Sequence, residues 1–185
     1  MYGLVNRGLR DLVLMHRGPE AWAAIEARAA LSGDPFVSMT AYPDETTLAL
    51  LQATAETLAL DAEEVLERLG AHWVRYSGRE GYGELMALSG DDLVEFLSNL
   101  DQLHARVGLS FPELRPPGFR LTEVTATRLT LEYSSTRAGL ERFVVGLLRG
   151  LGAHFGVPLS VQIEARRGAD GSPARFAILL DEPLR

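Results

Sequence analysis

Thr127-Arg128-Leu129-Thr130-Leu131-Glu132-Tyr133-Ser134-Ser135-Thr136-Arg137 is the stretch that decides the fold. Polar and apolar residues alternate from Arg128 to Tyr133, the period of a strand with one buried face. The alternating, Thr-, Val- and Leu-rich run spans residues 119–134. Just before it, Phe111-Pro112 and Arg115-Pro116-Pro117-Gly118 stop helix formation, because proline lacks the N–H and clashes with the preceding turn. After it, residues 138–155 return to helical spacing through Leu140, Phe143, Val144, Leu147 and Leu151. Residues 161–165 and 176–180 predict two further strands, with Gly168-Ala169-Asp170-Gly171 between them as a hairpin turn.

Upstream of the prolines the period is helical. Leu4, Val5, Leu9, Leu12 and Val13 form one apolar stripe. Gly18-Pro19 breaks it, and Trp22, Ile25 and Ala29 predict a second short helix. Ser32-Gly33-Asp34-Pro35 is a turn signal. Asp44 is a candidate cap for a helix running to about Leu58, and Asp61 with Glu64 resembles a capping box ahead of Val65, Leu66, Leu69, Trp73 and Val74. The glycine-rich residues 78–83 read as a loop, and Ser89 with Asp92 can cap the next helix. That helix carries the stripe Leu93, Phe96, Leu97, Leu100, Leu103, His104 and Val107. The fold class expected is α+β, a helical N-terminal portion followed by an antiparallel sheet with a helix packed on it.

Composition narrows the function. The chain has 185 residues, 46% hydrophobic, enough for one domain with a sizeable core. The net charge of -7 and the scatter of the Lys and Arg residues argue against nucleic acid or an anionic membrane as partner. No apolar run reaches the roughly 18 residues of a membrane span, and the N-terminus has no signal-peptide pattern, so a cytoplasmic protein is expected. With zero cysteines, thiolate metal sites, iron–sulfur clusters, covalent haem and disulfides are excluded.

Of the four histidines, His16, His72, His104 and His154, only His104 lies within a continuous apolar stripe. Such a residue is either a core histidine held by a backbone carbonyl or a metal ligand, and neutral imidazole is a suitable donor to iron. Tyr133, Ser135 and Arg137 alternate by two, which in a strand puts all three on one face. Arg137 could grip a carboxylate with two charge-assisted hydrogen bonds while the hydroxyls add single donors. The alternative is an exposed strand face that ends at a turn. Together, an imidazole and a clamp for two carboxylates are what a haem site needs.

Met1-Tyr2-Gly3-Leu4-Val5-Asn6, Phe96-Leu97-x-Asn99-Leu100-Asp101-x-Leu103-His104, Arg115-Pro116-Pro117-x-Phe119 and Tyr133-x-Ser135-x-Arg137 occur in this order. In this the chain resembles the H-NOX family, haem domains that sense nitric oxide or oxygen and include the haem domain of soluble guanylate cyclase. The resemblance covers essentially the whole chain. It implies one domain over residues 1–185, with a distal helical subdomain at 1–60 and a proximal haem subdomain at 61–185. It further implies a four-stranded antiparallel sheet and packed helices enclosing non-covalent haem b.

By that resemblance His104 is the axial ligand of the haem iron, with Leu100 and Leu103 beside it on the same helix. Tyr133, Ser135 and Arg137 are the propionate clamp, and Pro117 presses on the haem and distorts it. Oxygen-binding members carry a tyrosine on the helix after the clamp; here Phe143 takes that place. Val5, Leu9, Leu69, Trp73, Phe143 and Leu147 are expected in the distal pocket, and none carries a hydroxyl, though the Trp73 indole N–H is a donor. The implied function is a non-enzymatic sensor of nitric oxide and carbon monoxide that excludes oxygen. Its signal is loss of the iron–His104 bond, with Gly3, Gly70 and residues 78–83 as candidate hinges. A stand-alone sensor acts through a partner, in bacterial relatives a histidine kinase or a cyclic-di-GMP synthase or phosphodiesterase. Two other classes stand beside this reading: a peroxidase-like haem enzyme, for which His72 or His154 would have to serve distally, and a haem-free interaction domain.

Overall fold

In the computed structural model, which describes residues 1–31, 36–111 and 113–184, helices lead into a sheet. Helix α1 (Gly3–Arg28) is broken at Gly18, where φ is 79° and ψ 179°. A positive φ is open to glycine at little cost, and Pro19 has no N–H to carry the ladder across. Trp22 and Ile25 are buried on the far side of the break, as expected. The turn read at Ser32-Gly33-Asp34-Pro35 lies outside the described residues, as does Pro112 of the Phe111-Pro112 stop.

Helix α2 (Asp44–Leu58) has the limits read from sequence, but Asp44 is not its cap. Pro43 holds the N-cap and makes no side-chain bond there. The Asp44 carboxylate is drawn instead to two cations, Arg137 and the Met1 amino group. Helix α3 (Ala62–Ser77) is capped by Asp61, which accepts from the Glu63 N–H at 2.7 Å. The reciprocal half of a capping box is missing, because Glu64 pairs with Arg68 one turn on. Residues 78–83 are not a loop: they wind as a π-helical turn (Gly78–Tyr82) into the short α4 (Gly83–Ala87). Helix α5 (Leu93–Gly108) is capped by Asp92, which accepts from the Glu95 N–H, while Glu95 accepts from the Asp91 N–H. Ser89 plays no part in that cap; its hydroxyl donates to the Leu85 carbonyl.

The alternating run at 119–134 is two strands, β1 (Gly118–Val124) and β2 (Arg128–Ser134), closed by Thr125 donating to the Arg128 carbonyl. Helix α6 (Glu141–Phe155) starts three residues later than its spacing suggests, after Gly139 at φ 78°. Strands β3 (Leu159–Ala165) and β4 (Ala174–Leu180) follow, and the antiparallel sheet is ordered β1-β2-β4-β3. The α+β class and the four-stranded antiparallel sheet are therefore as expected.

Period two along β2 and β4 buries Leu129, Leu131 and Tyr133 with Phe176 and Ile178 against α5 and α6. A second apolar cluster joins α1, α2 and the first half of α3 through Leu9, Trp22, Ile25, Leu50 and Leu69. Fully burying each such side chain contributes about 1.5–3 kcal/mol. Helices α3 and α6 cross between the two clusters with backbone in contact. A Cβ on Gly70 would overlap the Phe143 carbonyl, and one on Gly146 the Glu67 carbonyl. Gly70 is thus a close-packing position, not a freely swinging hinge; the same holds for Gly3 against the Val37 carbonyl. Among the described residues no helix is long and apolar enough to cross a membrane.

Candidate functional site

A cavity of about 700 Å³ opens beside the α3–α6 crossing, within the ~300–1,000 Å³ typical of ligand and cofactor sites. It gathers side chains from distant parts of the chain. Val5 comes from α1, Leu69 and Trp73 from α3, Leu100, Leu103 and His104 from α5, and Phe143 and Leu147 from α6. Pro117 precedes β1, and Tyr133, Ser135 and Arg137 come from the end of β2 and the bend after it. Of the residues singled out from sequence, Leu9 alone is not in this wall. It is fully buried in the cluster between α1 and α2.

His104 follows Leu103 on the inward stripe of α5, with its ring 5.7 Å from that of Phe119. Asp101, one turn earlier, accepts from the Phe119 N–H at 2.8 Å and ties the start of β1 to α5. The His104 Nδ1 is buried and has no hydrogen-bond partner. Burial pushes the imidazole pKa below its ordinary value, against the opposing pull of the Asp101 charge and the Pro117 carbonyl. The ring is neutral at pH 7, the form that donates an electron pair to a metal.

The triplet is brought together by a different route from the one its spacing suggests. Strand β2 ends at Ser134, so Ser135 and Arg137 do not share a strand face with Tyr133. The chain bends after the strand, and the Ser135 hydroxyl accepts from the Arg137 N–H at 3.1 Å. Burial raises the Tyr133 pKa, while the Ser135 hydroxyl draws it back. Arg137 is neither unpaired nor merely solvated. It meets Asp44 through Nε at 2.7 Å and a terminal nitrogen at 3.3 Å, and donates to the Arg115 carbonyl at 3.4 Å. The guanidinium in turn holds the Asp44 carboxyl below its usual range.

Sequence reasoning missed Asp44, which is 93 residues from Arg137 and leaves no spacing signal. It also missed hydroxyls in the wall, those of Tyr2, Tyr42, Thr47 and Ser77. Thr47 donates to the Asn6 side chain and Ser77 to the Trp73 carbonyl. Tyr2 and Tyr42 accept from the Glu113 and Val37 N–H groups. His16, His72 and His154 line a separate cavity.

The arrangement is an apolar chamber with an imidazole at one wall and a guanidinium and two hydroxyls at another. That suits a flat apolar group carrying a metal and two carboxylates. Residues 2–163 match the family described as haem-NO-binding. The chain belongs to the H-NOX family. These are haem-based gas-sensing domains that hold their haem without a covalent bond. A soluble guanylate cyclase of Caenorhabditis elegans, gcy-33, is 27% identical over 97% of this chain. The chain spans only 19% of that relative's length. The unliganded Fe(II) H-NOX protein from K. algicida is 26% identical, with a TM-score of 0.83 over 100% of this chain and 99% of that one. The H-NOX protein from S. oneidensis in the Fe(II)NO ligation state is 20% identical, with a TM-score of 0.87 over 98% and 100%.

One buried histidine and one half-buried histidine make this H-NOX domain acid-sensitive. Burial lowers the pKa of both His72 and His104 below the ordinary 6.5. The unfolded chain then binds more protons, so the stability they contribute is present above 6.5 and lost as the pH falls through the lowered values. Urea midpoints of haem-free protein should drop between about pH 7.5 and about pH 5.5. The drop should be smaller in His72→Gln; an equal drop would contradict the assignment of His72.

Proposed function

We propose that this H-NOX domain is a ferrous-haem sensor of nitric oxide and carbon monoxide that forms no stable complex with oxygen and signals to a separate protein. The observation that carries the reading is the half-buried His104 imidazole, with its Nδ1 unpartnered, in the wall of the same cavity as Arg137. When bound, haem supplies a ferrous iron with a coordination position open to a diatomic ligand. His104 holds that iron from α5. Arg137 turns from Asp44 toward the carboxylates, helped by the Tyr133 and Ser135 hydroxyls. Pro117 would set a rigid ring against the macrocycle, with Leu100 and Leu103 in the same cavity wall.

Selectivity rests on Phe143. It lines the cavity with Val5, Leu69, Trp73 and Leu147, its ring 6.4 Å from that of Trp73. Bound oxygen is polar and depends on a nearby donor more than nitric oxide or carbon monoxide does. A phenyl ring offers none. His104 would tie α5 to the cofactor, and Asp101 links that helix to β1, so a change at the iron would reach the sheet through these two residues. Residues 1–60 form the distal unit and 61–185 the proximal one in this scheme. The receiving protein is a histidine kinase or a cyclic-di-GMP synthase or phosphodiesterase.

Absorption spectra of the reduced protein test the reading. The Soret band should shift with nitric oxide and with carbon monoxide and stay unshifted in air before slow oxidation. A stable oxygenated spectrum would overturn the selectivity. Phe143→Tyr adds one donor, worth about 1.5 kcal/mol or roughly tenfold in affinity. Oxygen affinity should rise by that order while carbon monoxide affinity changes little; equal changes for both gases would remove Phe143 from the role.

A further inference from the structure

A second cavity, of about 640 Å³, lies between α1, the end of α2, α3 and α6. It shares no lining residue with the His104 cavity. Its floor is apolar, with Leu12, Leu58 and Val65. Its rim is cationic although the chain carries a net charge of -7. Arg68 and Arg149 line it but are paired with Glu64 and Glu67. Arg17 and Arg75 line it, are exposed, and have no ion-pair partner among the described residues.

His72 closes the inner wall. It lines this cavity with only 2% of its surface exposed. Its Nε2 lies 2.8 Å from an Asp11 oxygen that also accepts from Arg79. That oxygen is an acceptor toward Arg79 and toward the ring alike, so the proton sits on Nε2. Nδ1 then presents a lone pair, and it is buried with no partner. An unsatisfied buried acceptor costs roughly the desolvation of the group, and this one lies beneath the cavity surface, out of reach of its contents.

We propose that this cavity binds a small organic anion. Its apolar body rests on the leucine and valine floor, and its anionic head is held at the rim by Arg17 and Arg75. The volume suits a small molecule. A metal ion is disfavoured: among the described residues no cluster of three or more ligating side chains forms, and the arginines repel a cation. Since α3 and α6 wall both cavities, occupancy here bears on the helices that carry Trp73 and Phe143.

The test uses haem-loaded protein, so that the first cavity is filled, and anilinonaphthalene sulfonate, which has an anionic head and an apolar body. Its fluorescence should rise to saturation at one equivalent. The double variant Arg17→Gln/Arg75→Gln should bind at least tenfold more weakly, and Ala153→Phe, a plug at an exposed helix position in the cavity wall, should abolish binding. Both variants should keep the parent Soret band. Competition by indole acetate assigns a planar ligand body, and competition by hydroxydecanoate an acyl chain. Unchanged affinity in the double variant, binding without saturation, or competition by neither carboxylate overturns the proposal.

Discussion

Replacing His104 with glycine is expected to abolish ligand-dependent switching of the haem spectrum while leaving the fold in place. The cost to the fold is small for two opposing reasons. Glycine in a helix interior costs about 0.5–1 kcal/mol relative to alanine. Against that, the wild-type side chain buries a nitrogen that no protein group satisfies, so its removal relieves a desolvation penalty. The stripe that holds α5 to the sheet, Leu93, Phe96, Leu97, Leu100 and Leu103, is untouched. Circular dichroism and the urea midpoint of haem-free protein should therefore stay near the parent values. Haem uptake should weaken, the Soret band of the reduced protein should change, and imidazole added to the solution should restore the parent spectrum by entering the vacated space. A spectrum and a nitric oxide response identical to the parent's would refute the assignment of His104 as iron ligand.

Gly146→Ala should be among the most destabilising single substitutions in the chain. Alanine is the better helix former by about 1 kcal/mol, so propensity alone predicts a gain. Packing reverses the sign. The added methyl would fall inside the Glu67 carbonyl and beside the Ala71 nitrogen, both backbone atoms of α3 that no rotamer change can move. Gly70 makes the reciprocal contact with the Phe143 carbonyl, so the two helices would have to separate along the whole crossing. Overpacking of this kind costs about 3 kcal/mol or more, a fall in Tm of roughly 6–12 °C for a chain of this size. Gly108→Ala is the control, since a Cβ there meets nothing within 4 Å. It should be neutral or slightly stabilising. A Gly146→Ala protein that melts with the parent would mean that the crossing is looser than its geometry. The crossing also sets where Phe143 and Trp73 stand in the cavity wall, so the same variant should alter ligand spectra at temperatures where it remains folded.

Much of the fold is legible because burial imposes a period. The stripe through Leu93 and Leu103 and the alternation through Leu129, Leu131 and Tyr133 repeat at helix and strand spacing, and both elements form as read. Caps were less legible. Asp44 and Ser89 have the right chemistry to cap, but each found a stronger or nearer partner, a guanidinium and an amino group in one case and the Leu85 carbonyl in the other. Glycines were ambiguous for a related reason. Residues 78–83 combine loop-like composition with a π-helical turn, and Gly70, a candidate hinge, serves close approach. Leu9 has the same helical spacing as Val5, yet α2 covers it while Val5 faces the cavity.

The sequence by itself determined the residue chemistry and the local periods: one histidine on an apolar stripe, a tyrosine, serine and arginine in succession, prolines before the sheet, and no cysteine. Those depend on side-chain type and on neighbours a few positions away. Only the tertiary structure decided that His104 and Arg137 share one chamber, that Arg137 pairs with Asp44, and that Leu9 is excluded. It also revealed the second, arginine-rimmed cavity around His72. Each of these is a meeting of residues far apart in the chain, set by the packing of helices whose crossing is fixed by backbone contact at Gly70 and Gly146, and no local pattern encodes such distances.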